Sequence, residues 1–300
     1  MSLALLSTSQ LRSPIGPYHT AEGFAKFVWD FANGYHTANF SVQRSSAAST
    51  QARDGSFAVV QADAARFTPA GALLLEQLTV NLAEVLAAPI DTSGLYLTGA
   101  VEATLAVVED TTALAAAGLL GVTSGRALLL DNSAGSTNAR LALQATVDST
   151  GDWVLSAFVR SDGTVSLRTG YGGYPAIGSL IGDPVVTPTG YVRASRNSAQ
   201  KDGGANNPMD PIWFDVSAGA KLWISCPQWE PNRLSPSSPV FQSTSQTSRA
   251  AETLFLPVQG PISQITAITP QGSVALASTQ TVGGALIAPL EIPILKILVT

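Results

Sequence analysis

Trp153-Val-Leu-Ser-Ala-Phe-Val159 decides the fold. Side chains alternate across a strand, so Trp153, Leu155, Ala157 and Val159 share one face. Asp162-Gly163 then turns the chain into Val165-Ser-Leu167. The same grammar runs outward in both directions. Leu141–Val147 alternates, and Ile212–Val216 and Leu222–Ser225 read as strands. Short alternating segments between Gly/Asn/Asp turns predict a β-sandwich or barrel. No repeat with a period of about 20–50 residues is visible, which argues against a propeller or β-helix.

Upstream, Arg53-Asp54-Gly55-Ser56 carries a turn signal, with short strands expected at Phe57–Gln61 and Ala72–Leu75. Leu78–Ala88 reads as helix or loop, and Tyr96–Val108 as the longest β-like run. Phe24, Phe27, Trp29 and Phe31 form an aromatic cluster, and Phe24, Phe27 and Phe31 have helical spacing. The cluster is expected to dock, either on its own domain or on another subunit. Ala199–Pro211 reads as a long loop, and 231–249 as an extended Ser/Thr/Pro-rich crossing. The expected division is a segment 1–38, a β-sandwich 39–252 and a C-terminal β-region 253–300. The fold class is therefore all-β: a jelly-roll or lectin-like sandwich with an N-terminal attachment segment.

The chain has 300 residues, 45% hydrophobic and only 12% charged. That is about half the usual charged share. Disorder needs low hydrophobicity and high charge, so it is excluded. Net charge is −5 and the pI about 5.0, with no basic stripe, so no nucleic-acid partner is expected. No basic region precedes a long apolar run, and no apolar run reaches about 18 residues. Neither a signal peptide nor membrane insertion is expected. The single Cys226 gives no internal disulfide and reads as core filler.

Catalytic chemistry is sparse. The two histidines, His19 and His36, lie near the N-terminus without a nearby nucleophile. Asp152, Asp202, Asp210, Asp215 and Glu230 are carboxylates that a glycosidase fold would have to bring together in pairs. Surface solvation or turn formation explains each of them as well. Asp202, Asn206, Asn207 and Asp210 offer the hard oxygen ligands calcium accepts, without the spacing of an EF-hand loop. Asp131, Asn132 and Asn138 form a similar loop. Turn chemistry is the competing reading of both. Apart from calcium, no cofactor is expected. For a sugar ligand, the candidate stacking rings are Tyr171 and Tyr174 in a Gly-rich loop, and Trp213 beside the 199–211 loop.

Several phrases recur in order. They are Phe40-Ser-Val-Gln-Arg44 before Arg53-Asp54-Gly55, Ala65-Arg66-Phe67, Gly71-Ala-Leu-Leu-Leu-Glu76, and Asn81-Leu82. Trp153–Arg160, Gly190-Tyr191-Val-Arg193-Ala-Ser195, and Gln228-Trp229-Glu230 through Arg249-Ala-Ala-Glu252 follow. Over residues 40–253 this pattern resembles bacteriophage virion structural proteins of the tail, fibre or head-appendage kind. The Glu76–Leu82 segment is looser than that pattern, and the last fifty residues match no part of it. The resemblance implies a concanavalin- or carbohydrate-module-like sandwich in the virion. It also implies other virion proteins, a second and third copy (a homotrimer) and host surface glycan as partners. A purely structural capsid or tail role and a glycan depolymerase are the alternatives. Arg66 and Glu76 flank a turn and could pair across it, where an exposed pair would add little.

Overall fold

The computed structural model describes residues 18–20, 23–25, 27–36, 38–81, 83, 87–93, 95–143, 153–169, 186–198, 212–233, 235–241, 248–258 and 260–300. The chain is almost entirely β and antiparallel. It divides into two compact units. A terminal unit comprises Met1–Arg53, Val60–Leu78 and Ala250–Thr300, and an inserted unit comprises Asp54–Val59 and Thr79–Arg249.

The inserted unit is a two-sheet sandwich. Its four-stranded sheet runs Leu95–Thr98, Ala139–Leu143, Ile212–Val216, Val165–Thr169. Its five-stranded sheet runs Thr104–Glu109, Arg126–Asp131, Lys221–Pro231, Trp153–Ser161, Val192–Ser198. Leu155, Ala157 and Val159 meet Leu128, Leu130, Leu141, Phe214, Leu222 and Trp229 between the sheets, as the alternation of the opening stretch predicts. The side chain of Trp153 lies outside the described residues. Tyr96–Val108 is two strands, because Gly99 at φ +94 turns the chain between them. Two short helices, Thr111–Ala116 and Leu120–Thr123, were not foreseen. With Phe57 and Phe241 they cover the outer side of the five-stranded sheet around Phe158, Tyr191, Trp223 and Cys226.

Among the described residues, Lys221–Pro231 is paired on both sides only as far as Ile224; beyond Pro227 it pairs with Trp153–Ser156 alone. Cys226, at φ +49, and Pro227 fall where the register slips between Ser156 and Phe158. A bulge tolerates the missing proline N–H there. Pairing with Arg126–Asp131 stops at Ile224. Past that point the buried side chain of Asn81 takes over: its amide donates to the Pro227 carbonyl (3.2 Å), and its oxygen accepts from the Trp229 N–H (2.9 Å).

The terminal unit has its own two sheets. One runs Gly272–Ala275, Ile265–Thr269, Lys296–Val299, Phe27–Asp30, Tyr35–His36. The other runs Ser278–Thr281, Gly284–Ile287, Thr253–Leu256, Ser41–Gln43. These contacts divide the chain elsewhere than at 38/39 and 252/253. Phe27–Asp30 pairs with Lys296–Val299, and Ser41–Gln43 with Thr253–Leu256, so both ends of the described chain build one core.

The helical spacing of Phe24, Phe27 and Phe31 does not produce a helix: Gly23–Ala25 and Phe27–Asp30 are strands. A β-ladder with Lys296–Val299 supplies the backbone partners instead, and tertiary pairing overrides local periodicity. Trp29 and Phe31 are buried in this core, and Phe27 is half-buried beside them. Trp29 donates its indole N–H to the Ala38 carbonyl at 2.8 Å. The side chain of Phe24 lies outside the described residues.

His36 packs against Phe31 and Phe40, and its buried Nδ1 meets no side-chain partner among the described residues. Desolvation holds its pKa below the ordinary 6.5, against smaller opposing effects of the Tyr35 backbone and the Asp30 charge. The unfolded chain therefore takes up the proton first. The stability His36 supports is full above the ordinary value and is lost as pH falls through the folded one. We expect the urea midpoint of the terminal unit to fall between pH 7.5 and pH 5.5. His36→Phe should flatten that slope, and an equal slope in the variant would contradict the assignment.

Candidate functional site

The polar residues in the matched phrases are framework. Four charges are buried together in the terminal unit. Arg44 pairs with Glu252, and Arg66 with both Glu252 and Glu76, its Nη2 lying 2.6 Å from Glu76. The side chains of Arg44, Arg66 and Glu252 are fully buried, and that of Glu76 nearly so. Arg66 and Glu76 thus pair as their spacing suggests, but inside the protein. Arg44 also donates to the carbonyls of Ser46 and Ala64, and Arg66 to that of Ser49. Burial alone would lower the pKa of the Arg66 guanidinium. Hydrogen bonds and charge from Glu252 and Glu76 outweigh it and hold the pKa raised.

The same logic governs the inserted unit. Gln228 accepts from the Val240 N–H at 2.7 Å, and Glu230 from the Ser237 N–H at 3.1 Å. Arg193 donates to the Ser237 carbonyl at 2.7 Å, and Arg249 to the Ser238 hydroxyl at 2.7 Å. These side chains pin a Pro/Ser-rich crossing that has few ladder bonds of its own. Arg160 lies over the Trp223 ring at 3.7 Å and donates to Asp110 at 2.7 Å. Tyr191 donates to the same carboxylate at 2.7 Å, and burial followed by that hydrogen bond raises its pKa well above the ordinary range. Cys226 is buried, and desolvation pushes its thiol up to about 12. It is inert at neutral pH.

Of the carboxylates considered for hydrolysis, the two among the described residues lie in different sheets. Asp215 is in the four-stranded sheet and pairs with Arg140 (3.4 Å), whereas Glu230 is in the five-stranded sheet beside Arg233 (3.4 Å). Asp152, Asp202 and Asp210 lie outside the described residues, as do Asn206 and Asn207 of the calcium loop. In the second polar loop, Asp131 accepts from the Ser133 N–H and hydroxyl and pairs with Lys221 at 2.9 Å. The Ser133 hydroxyl bond leads the effects that hold the Asp131 carboxyl at about 2. Asn132 is buried and donates to the Thr137 and Ser217 carbonyls, and Asn138 is exposed. This is turn chemistry. Among the described residues no group of three or more His, Cys, Asp or Glu could hold a metal.

What remains is the outer face of the four-stranded sheet. Leu95, Leu97, Leu141, Phe214 and Val216 face the core, so the alternate positions line the opposite side. Register aligns Tyr96, Ala142, Trp213 and Arg168 in one row across all four strands. The next row is Thr98, Arg140, Asp215 and Ser166. Tyr96 is 50% exposed and the Arg140 side chain 48% exposed, while Ala142 and Asp215 are buried. Trp213 is described through its backbone alone, and Tyr171 and Tyr174 lie outside the described residues. Helices cover the five-stranded sheet, but no apolar cluster of described residues forms on this side. Trp213 was legible as a candidate. Tyr96, Arg140, Ser166 and Arg168 were not, because strand register joins them and no local motif does.

No protein-family model matches the chain, and no curated protein matches it. Solved structures similar to it include the enzymatically active domain of tailspike protein 4 from bacteriophage CBA120. That domain is 13% identical with a TM-score of 0.37, over 50% of this chain and 21% of that one. The chain thus spans about a fifth of the tailspike domain. The CBM22-1-CBM22-2 tandem domain of Paenibacillus barcinonensis Xyn10C is 11% identical with a TM-score of 0.34, over 75% of this chain and 90% of that one. TmCBM61, solved in complex with β-1,4-galactotriose, is 11% identical with a TM-score of 0.29, over 47% of this chain and 91% of that one. The likeness is confined to the β-sandwich fold.

Proposed function

We propose that this chain is a bacteriophage virion component that presents its inserted sandwich to the host surface and binds glycan there without catalysis. The observation that carries the reading is the row Tyr96–Ala142–Trp213–Arg168, over which no apolar cluster of described residues packs. Tyr96 and Trp213 are separated by two strand spacings, roughly 10 Å. A small alanine separates the two aromatic positions, and the adjoining Thr98, Arg140 and Ser166 supply donors and acceptors for hydroxyls. The resemblance of the matched phrases supports the virion setting.

A panel of host capsule and lipopolysaccharide glycans tests the reading. The full chain should bind at least one. Tyr96→Ala and Trp213→Ala should each weaken binding by about thirtyfold, the loss expected of a hot-spot aromatic worth about 2 kcal/mol. Leu120→Ala, an exposed position on the helical cover, should leave binding unchanged. Equal binding by all three variants would remove the sheet face as the site.

A further inference from the structure

Among the described residues, nothing pairs with one side of the terminal unit's sandwich. Gly272–Ala275 is an edge of one sheet and Ser278–Thr281 an edge of the other, with two residues joining them. Every residue from Gln271 to Gly283 is exposed except Val274 and Leu276, which are half-buried. Val282, at the hairpin tip, is 105% exposed. No Asp, Glu, Lys or Arg occurs from Thr253 to Leu290.

Open edges present unpaired N–H and C=O groups, and proteins normally guard them with charge, proline or a cover. Several other edges follow that rule, although Leu95–Thr98 is as free of charge. Ser41–Gln43 runs into Arg44, whose N–H donates to Asp63 at 2.8 Å and whose carbonyl accepts from the Asp63 N–H at 3.0 Å. Tyr35–His36 adjoins Asp30, which pairs with Lys296 at 2.9 Å. In the inserted unit, Glu109, Arg168, Arg193 and Arg196 stand on edge strands. The Gly272–Thr281 side has no such guard among the described residues and is exposed along nearly its whole length.

We infer that Ser278–Thr281 is a pairing edge for a second copy of this chain. An antiparallel ladder about a two-fold axis needs no second sequence, because each strand offers the other the same donors and acceptors. An uncharged strand meets its copy without like-charge repulsion, and cross-strand Thr pairs are favourable. A charged heterologous partner would find no complement here. A strand has one free edge, so this pairing ends at two copies, which departs from the trimer implied by the resemblance. The inference is independent of glycan binding.

Sedimentation of the full chain over a range of concentrations tests it. The wild type should move from the 31.0 kDa monomer to twice that mass at micromolar concentration. By antiparallel alternation the Gln280 N–H points away from its hairpin partner Ala285. Gln280→Pro should therefore weaken association at least tenfold without breaking the hairpin. Thr279→Lys should do the same by like-charge repulsion and guards against a folding defect of the proline variant. Val101→Lys, at an exposed apolar position of the inserted unit, should have no effect. A monomer at all concentrations, a trimer, or a dimer that survives both edge substitutions would overturn the inference.

Discussion

Glu252→Gln should destabilise the terminal unit by about 3–5 kcal/mol, the cost of breaking a buried ion pair from one side. Glu252 accepts from Arg44 and Arg66 and from the Glu76 N–H at 2.9 Å, so its neutralisation leaves two buried guanidiniums against the single carboxylate of Glu76. The wild-type cluster is balanced, with two cations against two anions. Desolvating four charges costs a great deal, and the balance together with the backbone bonds of both arginines offsets it. The cluster is thus better understood as fixing how three distant segments meet than as a net source of stability. Amide exchange in Thr253–Leu256 under increasing urea reads the effect in the affected unit, which matters because a two-unit chain need not unfold in one step. Lys221→Met breaks a pair with Asp131 whose side chains are 35% and 25% exposed, and should cost far less, as expected of a surface ion pair. Equal effects of the two substitutions would contradict the assigned role of the cluster.

Trp29→Ala should cost about 3–5 kcal/mol in the same unit, as expected for removing a fully buried large aromatic. The ring has no exposed surface, stacks with Phe27 at 6.0 Å and bonds the Ala38 carbonyl. If the aromatic cluster served instead to dock on another subunit, the isolated chain would lose little stability and would fail only in particle assembly. Thermal unfolding of the isolated variant separates the two outcomes, with a lowered midpoint expected. An unchanged midpoint would restore the docking role.

The fold class was legible because burial on one face leaves a period-two trace, and Leu155, Ala157 and Val159 carry it plainly. Trp29 shows where such reading stops. Its neighbours repeat at three and four residues, yet a strand forms because Lys296–Val299 offers a ladder from the far end of the chain. Pro227 stands where the ladder breaks, but local sequence does not show that Asn81 supplies partners around it. The helices after Asp110 were hidden differently. Asp110 stands at the N-cap position, but its carboxylate bonds Arg160 and Tyr191 and makes no cap hydrogen bond. The candidate site was half visible: Trp213 was named from its neighbourhood, and Tyr96 needed the register with Ala142 to join it. The matched phrases were read as a sign of kinship. In the structure their Arg, Glu, Asn and Gln side chains hold crossings and bulges, so the site must be sought away from them.

A cryo-electron reconstruction of particles carrying this chain tests the central claim most directly. The account predicts a protruding sandwich of residues 79–249 whose Tyr96–Trp213 sheet face is open to solvent. Density with that face pressed against the capsid or tail wall would contradict it, and so would particles from which the chain is missing.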